Sequence, residues 1–336
     1  MRKLVVVLIS GTISLLLGMG SVMAAKYNEA PMLKIKVAAG ELPPVEERLP
    51  EEPLVIPVVE EIGEYGETMH INTLNPGCWG AGGWQIINFE CMLRIAPDGK
   101  TILPNLAKDY KLSENGKTLT LYLRKGIRWS DGAPFTADDI LFWYEDVILN
   151  DELTPVKPKR WSPGGELMKV EKMDDYTVRL HFARSYPLVT IQLARNANRG
   201  GFYLPKHYLK QFHPRYVPME KLEKMTEKEG YDYWYQLFNR KRDDGWGGKA
   251  GVGYPTLRSH VLIEKKEEVY IAGRNPYYWK VDPAGNQLPY IDKVVVVGVL
   301  SNRELLDGNI ISGQVDYASE QTSLDNLSLP GKCKRR

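Results

Sequence analysis

The stretch LRKGIRWSDGAPFTADDILFWYEDVI, Leu123 to Ile148, places two adjacent carboxylates, Asp138 and Asp139, beside two tryptophans, Trp129 and Trp143. Paired carboxylates in an aromatic setting serve glycosidases, but only when the two groups face each other across roughly 5–9 Å. The spacing here argues against that geometry. Asp131-Gly132 is a turn pair, and Thr136 followed by Asp139 is a capping-box arrangement, with Asp in the place usually held by Glu or Gln. Both carboxylates then fall in a first helical turn, where they complement the helix dipole. Consecutive helical residues point about 100° apart, so the two do not form an acid/base pair. Ile140, Leu141, Tyr144, Val147 and Ile148 recur at helical spacing and predict one apolar stripe. The stretch reads as a strand–turn–helix scaffold. A secreted hydrolase using Asp138, Asp139 or Asp316 remains the remote alternative.

Other reactive constellations are absent from the sequence. His70, His181, His207, His213 and His260 have no metal-ligand spacing. The glycine-rich run GWGGKAGVGY, Gly245 to Tyr254, lacks the order of a phosphate-binding loop, because Lys249 is followed by Ala250 and Gly251. No Ser/His/Asp or Cys/His motif is legible, and no cofactor is implied. What remains is binding chemistry. Asn75, Trp79 and Trp84 in NTLNPGCWGAGGW, together with Trp246 and Tyr254, are the candidate ligand-binding residues. Glycine lets backbone approach a ligand closely, and tryptophan faces stack on sugars or apolar groups. YDYWYQLF, Tyr231 to Phe238, is apolar at helical spacing and is expected in the core.

The elements that must hold such a surface are of mixed type. Leu119, Leu121 and Leu123 alternate with Thr118, Thr120 and Tyr122, which predicts a half-buried strand after the turn Ser113–Gly116. Val178, Leu180 and Phe182 alternate likewise after Asp174-Asp175, with Val170 on the partner strand and His181 pointing away from Leu180. Lys293 to Leu300 is a continuous β-branched run, the pattern of a strand buried on both faces. Asn302 to Ile311 reads as a helix ended by Gly313. The fold class is therefore α/β, or mixed α+β, without internal repeats.

With 336 residues the chain has room for about two domains. Lys and Arg number 44 against 42 Asp and Glu, a balance that argues against nucleic acid or an anionic membrane surface as the main partner. Tyrosine (19) and tryptophan (8) outweigh phenylalanine (7), which suits binding surfaces as well as cores. Arg2 and Lys3 precede the uncharged Leu4–Met23, and Val22-Met23-Ala24 fits the small-x-small rule, so residues 1–24 read as a signal peptide cleaved after Ala24 or Ala25. An uncleaved membrane anchor is the alternative, weakened by Gly11, Gly18 and Gly20. Residues 25–63 are rich in Pro and Glu, yet Leu54, Val55, Ile56, Val58 and Val59 are too apolar for a free tail, so an arm laid over the domain is expected. Cys78, Cys91 and Cys333 form no disulfide framework, and both pairing of Cys78 with Cys91 and burial as thiols stay open.

The scaffold stretch resembles the signature of the family 5 extracellular solute-binding proteins of ABC transporters, the oligopeptide-binding type. APDGKTILPNLAKDYKLSENGKTLTLYL (96–123), VEKMDDYTVRLHF, GRNPYYW (273–279), LPYIDKVVV and ISGQVDYA follow in that family's order, covering about Glu64 to Tyr317. Gln314 stands where the family usually has Glu, and Gly253-Tyr254-Pro255 departs from its Gly-x-Gly-Pro-Tyr loop. Residues 30–66 look like an arm found in a large-chain subgroup. The resemblance implies a periplasmic-binding-protein-like fold (class II), with a partial family domain over 64–317, an extra subdomain at about 90–186 and an atypical tail at 318–336. It implies a periplasmic or secreted monomer that captures peptides and delivers them to ABC transporter permease subunits, with an oligosaccharide receptor of the same fold as the alternative. The loop after the first strand is where relatives place ligand contacts. Such relatives continue well past ISGQVDYA into a second lobe. The expectation is thus a first lobe with one cleft wall, the second lobe largely missing. Affinity would then fall from ~1 μM to roughly 1 mM if the lobes share the binding energy equally.

Overall fold

The structure is a computed structural model that describes residues 26–73, 90–195, 202–242, 251–267, 269–298 and 302–317. In chain order its strands are β1 (Leu54–Val55), β2 (Gly66–Thr73), β3 (Leu93–Ile95), β4 (Ile102–Pro104), β5 (Ala107–Leu112), β6 (Thr118–Leu123), β7 (Lys169–Asp174), β8 (Thr177–His181), β9 (His260–Lys266), β10 (Val269–Arg274), β11 (Lys280–Val281) and β12 (Ile291–Gly298). Two four-stranded sheets organise them, ordered β2-β12-β10-β9 and β5-β6-β8-β7. β2 runs parallel to β12, and the other pairings within these two sheets are antiparallel. The class is mixed α/β.

The second sheet follows from period-2 patterning. Leu119, Leu121 and Leu123 are buried, and Leu119 and Leu121 stand opposite Leu180 and Val178 of β8. Val170 pairs with Leu180 from β7. His181 turns to the other face, where it meets Glu171 at 2.9 Å. The inward leucines join one large core with Trp129, Phe135, Trp143, Trp161 and Phe202.

The helix begins at Ala137 under the Thr136/Asp139 capping box. Asp139 Oδ2 accepts from the Thr136 amide at 3.0 Å and from Trp129 Nε1 at 3.3 Å, while Oδ1 accepts from the Lys206 amide at 3.0 Å. One carboxylate thus ties the helix start to the Trp129 turn and to the helix Lys206–Leu209. Burial pushes the Asp139 carboxyl up to about 6. Asp138 points elsewhere, to Lys172 Nζ at 2.9 Å. An Asp139→Ala variant is expected to lose about 2 kcal/mol. Loss of the cap and of the partner for buried Trp129 Nε1 and the part-buried Lys206 amide outweighs relief of the buried charge. Urea unfolding at pH 7 measures it, and an unchanged midpoint would refute this role.

The single apolar stripe requires correction. Ala137–Leu141 continues as a π-helix over Phe142–Ile148, and Phe142, Trp143 and Asp146 are buried as well as Tyr144, Val147 and Ile148. The Leu149 amide donates to Tyr144 O at 2.9 Å, five residues back. This wider turn brings additional residues inward, beyond the stripe that α-helical spacing predicts. Asp146 inside is held by Arg215 at 2.9 Å and by the Tyr216 hydroxyl at 2.8 Å.

A second correction concerns β12. Val294 and Val296 are buried, but Val295 and Val297 are only partly covered, as is Ile271 opposite Val295. The described residues close one face of this sheet around Ile71, Leu262, Tyr270, Ala272, Val294 and Val296. A sheet with antiparallel neighbours needs only one buried face, so a continuous valine run is compatible with alternation. Residues 299–300 of the run lie outside the described residues. The helix Arg303–Ile311 is capped by Asn302 and followed by Gly313 at φ 73°.

YDYWYQLF divides rather than packing whole. Trp234, Leu237 and Phe238 of the helix Trp234–Lys241 are buried, whereas Tyr233 is exposed and stacks on Tyr235 at 5.2 Å. Tyr233 precedes the helix in extended conformation, so it falls outside the helical period.

The proline- and glutamate-rich segment packs along the domain. β1 pairs in parallel with β11, the Glu51 amide donates to Lys125 O, and Arg124 donates to Glu52 O. Val45 and Leu49 bury themselves with Val281. Val59 is 98% exposed, so the apolar residues of the segment are not uniformly covered.

Candidate functional site

Of the candidate ligand-binding residues, Tyr254 alone is described; Asn75, Trp79, Trp84 and Trp246 lie outside the described residues, as does Cys78. Tyr254 sits on the loop before β9. The loop is pinned where the Ser130 amide donates to Thr256 O at 2.9 Å and the Thr256 amide donates to Ser130 Oγ at 3.0 Å. Asn275 reinforces it, its side-chain amide donating to Arg258 O at 2.7 Å. The Tyr254 ring meets Tyr208 edge-on, with centroids 5.6 Å apart, and packs against the main core.

The same core adjoins a polar centre that sequence reasoning missed. Glu90, nearly buried, accepts from the Tyr278 hydroxyl at 2.6 Å and from Asn105 Nδ2 at 3.1 Å, and pairs with Lys280 Nζ at 2.8 Å. Its backbone carbonyl accepts from the Tyr203 hydroxyl at 2.6 Å. Tyr203, Tyr278 and Tyr254 all pack in or against the main core. Burial, with Glu90 adding to it, pushes both phenols well above their ordinary range, so Tyr203 and Tyr278 act as donors across the physiological pH range. Lys280 lies over the Trp279 ring at 4.8 Å. A signal existed in the sequence: Glu90 is the only carboxylate between Glu67 and Asp98, directly after an uncharged aromatic run.

This arrangement fixes groups rather than activating them. Asp139 is occupied by three donors and Asp138 by Lys172, so the adjacent pair has no shared site for a reacting atom. Among the described residues, no helix is long and apolar enough to cross a membrane.

Residues 101–330 match the family described as bacterial extracellular solute-binding proteins, family 5 Middle. The chain belongs to this family. Similar family proteins include a periplasmic alpha-galactoside-binding protein of Rhizobium meliloti, 36% identical over 80% of this chain and 39% of the relative. Among solved structures, an oligopeptide-binding protein OppA superposes with a TM-score of 0.81 at 40% identity, over 90% of this chain and 47% of that one. The periplasmic binding protein MelB from Agrobacterium fabrum, solved in complex with stachyose, does so with a TM-score of 0.68 at 32% identity, over 87% of this chain and 43% of that one. The chain thus spans about two-fifths to one-half of the length of these relatives.

Proposed function

We propose that this protein is the extracellular solute-capturing component of an ABC transporter and that its ligand is a peptide. Family membership over residues 101–330 supports this reading most strongly. The Glu90 centre agrees with it as a support: its carboxylate and carbonyl are held by Tyr278, Asn105, Lys280 and Tyr203, and it follows the candidate run Asn75–Trp84 closely in the chain. On this reading Asn75, Trp79, Trp84, Trp246 and Tyr254 contact the ligand. The partners are the ligand and permease subunits, the protein acts as a monomer, and residues 1–24 direct it to the periplasm or outside the cell. Residues 25–63 form the arm, 64–317 the family domain with an extra subdomain at about 90–186, and 318–336 a tail.

A second reading, an oligosaccharide as ligand, is favoured by one observation. The alpha-galactoside-binding relative is 36% identical over 290 residues. The uncharged run Leu74–Phe89, with Trp79 and Trp84, suits a neutral ligand whose ring faces stack on indoles.

Thermal unfolding with trialanine in one series and stachyose in another tests both readings. A ligand that binds only the folded chain adds about 2.7 kcal/mol at a hundredfold excess over its Kd. A rise in Tm with trialanine alone supports the peptide reading, and one with stachyose alone the second. No rise with either overturns solute capture by this chain. Tyr254→Ala is expected to weaken the effective ligand by about tenfold, from loss of one aromatic contact. Calorimetry gives that ratio, and equal affinity would remove Tyr254 from the site.

A further inference from the structure

The arm and the polar centre grip the same short segment from opposite sides. Arg48, at the end of the one-turn helix Val45–Arg48, is fully buried. It pairs with Glu29, donates to the carbonyls of Pro43 and Pro276, and donates from Nη1 to Gln287 Oε1 at 3.0 Å. Gln287, 1% exposed, donates from Nε2 to Pro276 O at 3.0 Å and Tyr278 O at 2.9 Å. Its own amide donates to Asn28 O at 2.8 Å, and its carbonyl accepts from the Tyr65 hydroxyl at 2.9 Å. On the other side of the same segment, Tyr278 and Lys280 hold the Glu90 carboxylate. Strand alternation produces the two faces: Val281 goes to Val45 and Leu49, its neighbour Lys280 to Glu90.

A buried guanidinium–carboxylate pair is weak evidence for stability, because desolvating two ions offsets their attraction. A positional role accounts better for its place at the junction of the arm, Pro276 and Gln287. We propose that the arm is a positioning element for the segment that follows the candidate ligand-binding run, with Arg48 setting the place of Glu90 through Gln287 and Tyr278. The coupling stands on this geometry, and its functional meaning rests on the solute-capture reading. Arg48 is a positioning residue, since its contacts are with the arm, Pro276 and Gln287. Glu90 in turn fixes the start of the segment whose carbonyls, Cys91 O and Met92 O, accept from the amides of Leu106 and Ala107.

Native-state hydrogen exchange on the whole chain tests the coupling. The Leu106 and Ala107 amides report where residues 90–92 sit, and the β6 amides report global opening. Gln287→Met removes the Gln287 link of this chain, leaving only the Arg48 bond to Pro276 O, and strands no charge because Arg48 keeps Glu29. It is expected to speed exchange at Leu106 and Ala107 about tenfold relative to β6. Arg48→Met in a Glu29→Gln background should do the same, whereas Glu29→Gln alone should not. Adding Tyr278→Phe to Gln287→Met should bring no further local change, the non-additivity expected of one connected unit. Equal acceleration at all amides, or additive effects, overturns the proposal. Where the unaltered chain binds trialanine or stachyose, Gln287→Met should weaken that probe by about tenfold with unchanged stoichiometry, and unchanged affinity overturns the functional role. If neither probe binds, solute capture itself fails and the exchange pattern alone decides the coupling.

Discussion

A Lys280→Met variant is expected to lose about 3–5 kcal/mol of stability, since removing one partner of a buried pair leaves an uncompensated charge. The side chains of Lys280 and Glu90 are 13% and 5% exposed, so water does little to replace the lost ammonium. Tyr278 and Asn105 still donate to Glu90, which keeps the loss from growing further. The cation also leaves the Trp279 face, 4.8 Å away, removing a smaller contribution. Adding Glu90→Gln to Lys280→Met should recover a large part, because a neutral amide tolerates burial when it is hydrogen-bonded. Urea midpoints of the two single variants and the double variant give the interaction energy directly. Single-variant losses below about 1 kcal/mol would show that the pair is solvated and does not anchor this region.

The second large effect depends on pH. His260 is buried at the start of β9, and burial, with Arg274 nearby, holds its pKa down at about 4 against an ordinary 6.5. The hydrogen bonds suit a neutral ring. Nε2 donates to Ile291 O at 3.0 Å, and Nδ1 lies 3.0 Å from Ser259 Oγ, which donates to it. A folded-state pKa below the unfolded value means that the unfolded chain binds the proton first. Stability from this residue is therefore complete above pH 6.5 and is lost as pH falls towards 4, by about 3 kcal/mol in total. Asp139 acts in the opposite sense. Its carboxyl is raised to about 6 from 3.8, so its contribution is complete below pH 3.8 and is lost as pH rises through 6. Because the two nearly cancel, the unaltered protein can show a shallow acid profile. A comparison with His260→Gln isolates the histidine, since both proteins share Asp139 and glutamine retains a donor for Ile291 O. The stability of the unaltered protein minus that of the variant is expected to fall by about 3 kcal/mol between pH 7 and pH 4. A flat difference would mean that His260 titrates normally.

Much of the fold was legible because it rests on local periods. The alternation of Leu119, Leu121 and Leu123 places a strand face with no knowledge of its partners, and Thr136 with Asp139 announces a helix start within four residues. Two local readings nevertheless missed what packing decided. The valine run of β12 looks the same whether one face or both are covered, and which holds depends on layers far away in the chain. Phe142–Ile148 has the composition of an α-helical stripe, yet the wider π-turn buries Phe142, Trp143 and Asp146 too.

The candidate site was less legible than the fold. The uncharged aromatic run around Trp79 and Trp84 drew attention by residue type, and Tyr254 by its glycine-rich surroundings. Glu90 did not, because a lone acid has no motif. Its partner Lys280 is 190 residues away, and Tyr278 reaches it through the same long-range closure.

By itself, then, the sequence determined the period of each element, the caps and turns that bound them, and the solute-binding family. These depend on side chains within a few residues of one another, where backbone geometry dictates who meets whom. Only the tertiary structure decided which charges are buried, which partners satisfy them and therefore which groups titrate abnormally. Asp138 and Asp139 are neighbours of one type, but Asp138 meets Lys172 at the surface while Asp139 is sealed under Trp129 with its carboxyl raised to about 6. Desolvation depends on the atoms that close around a group, and those atoms arrive from parts of the chain that no local spacing can identify.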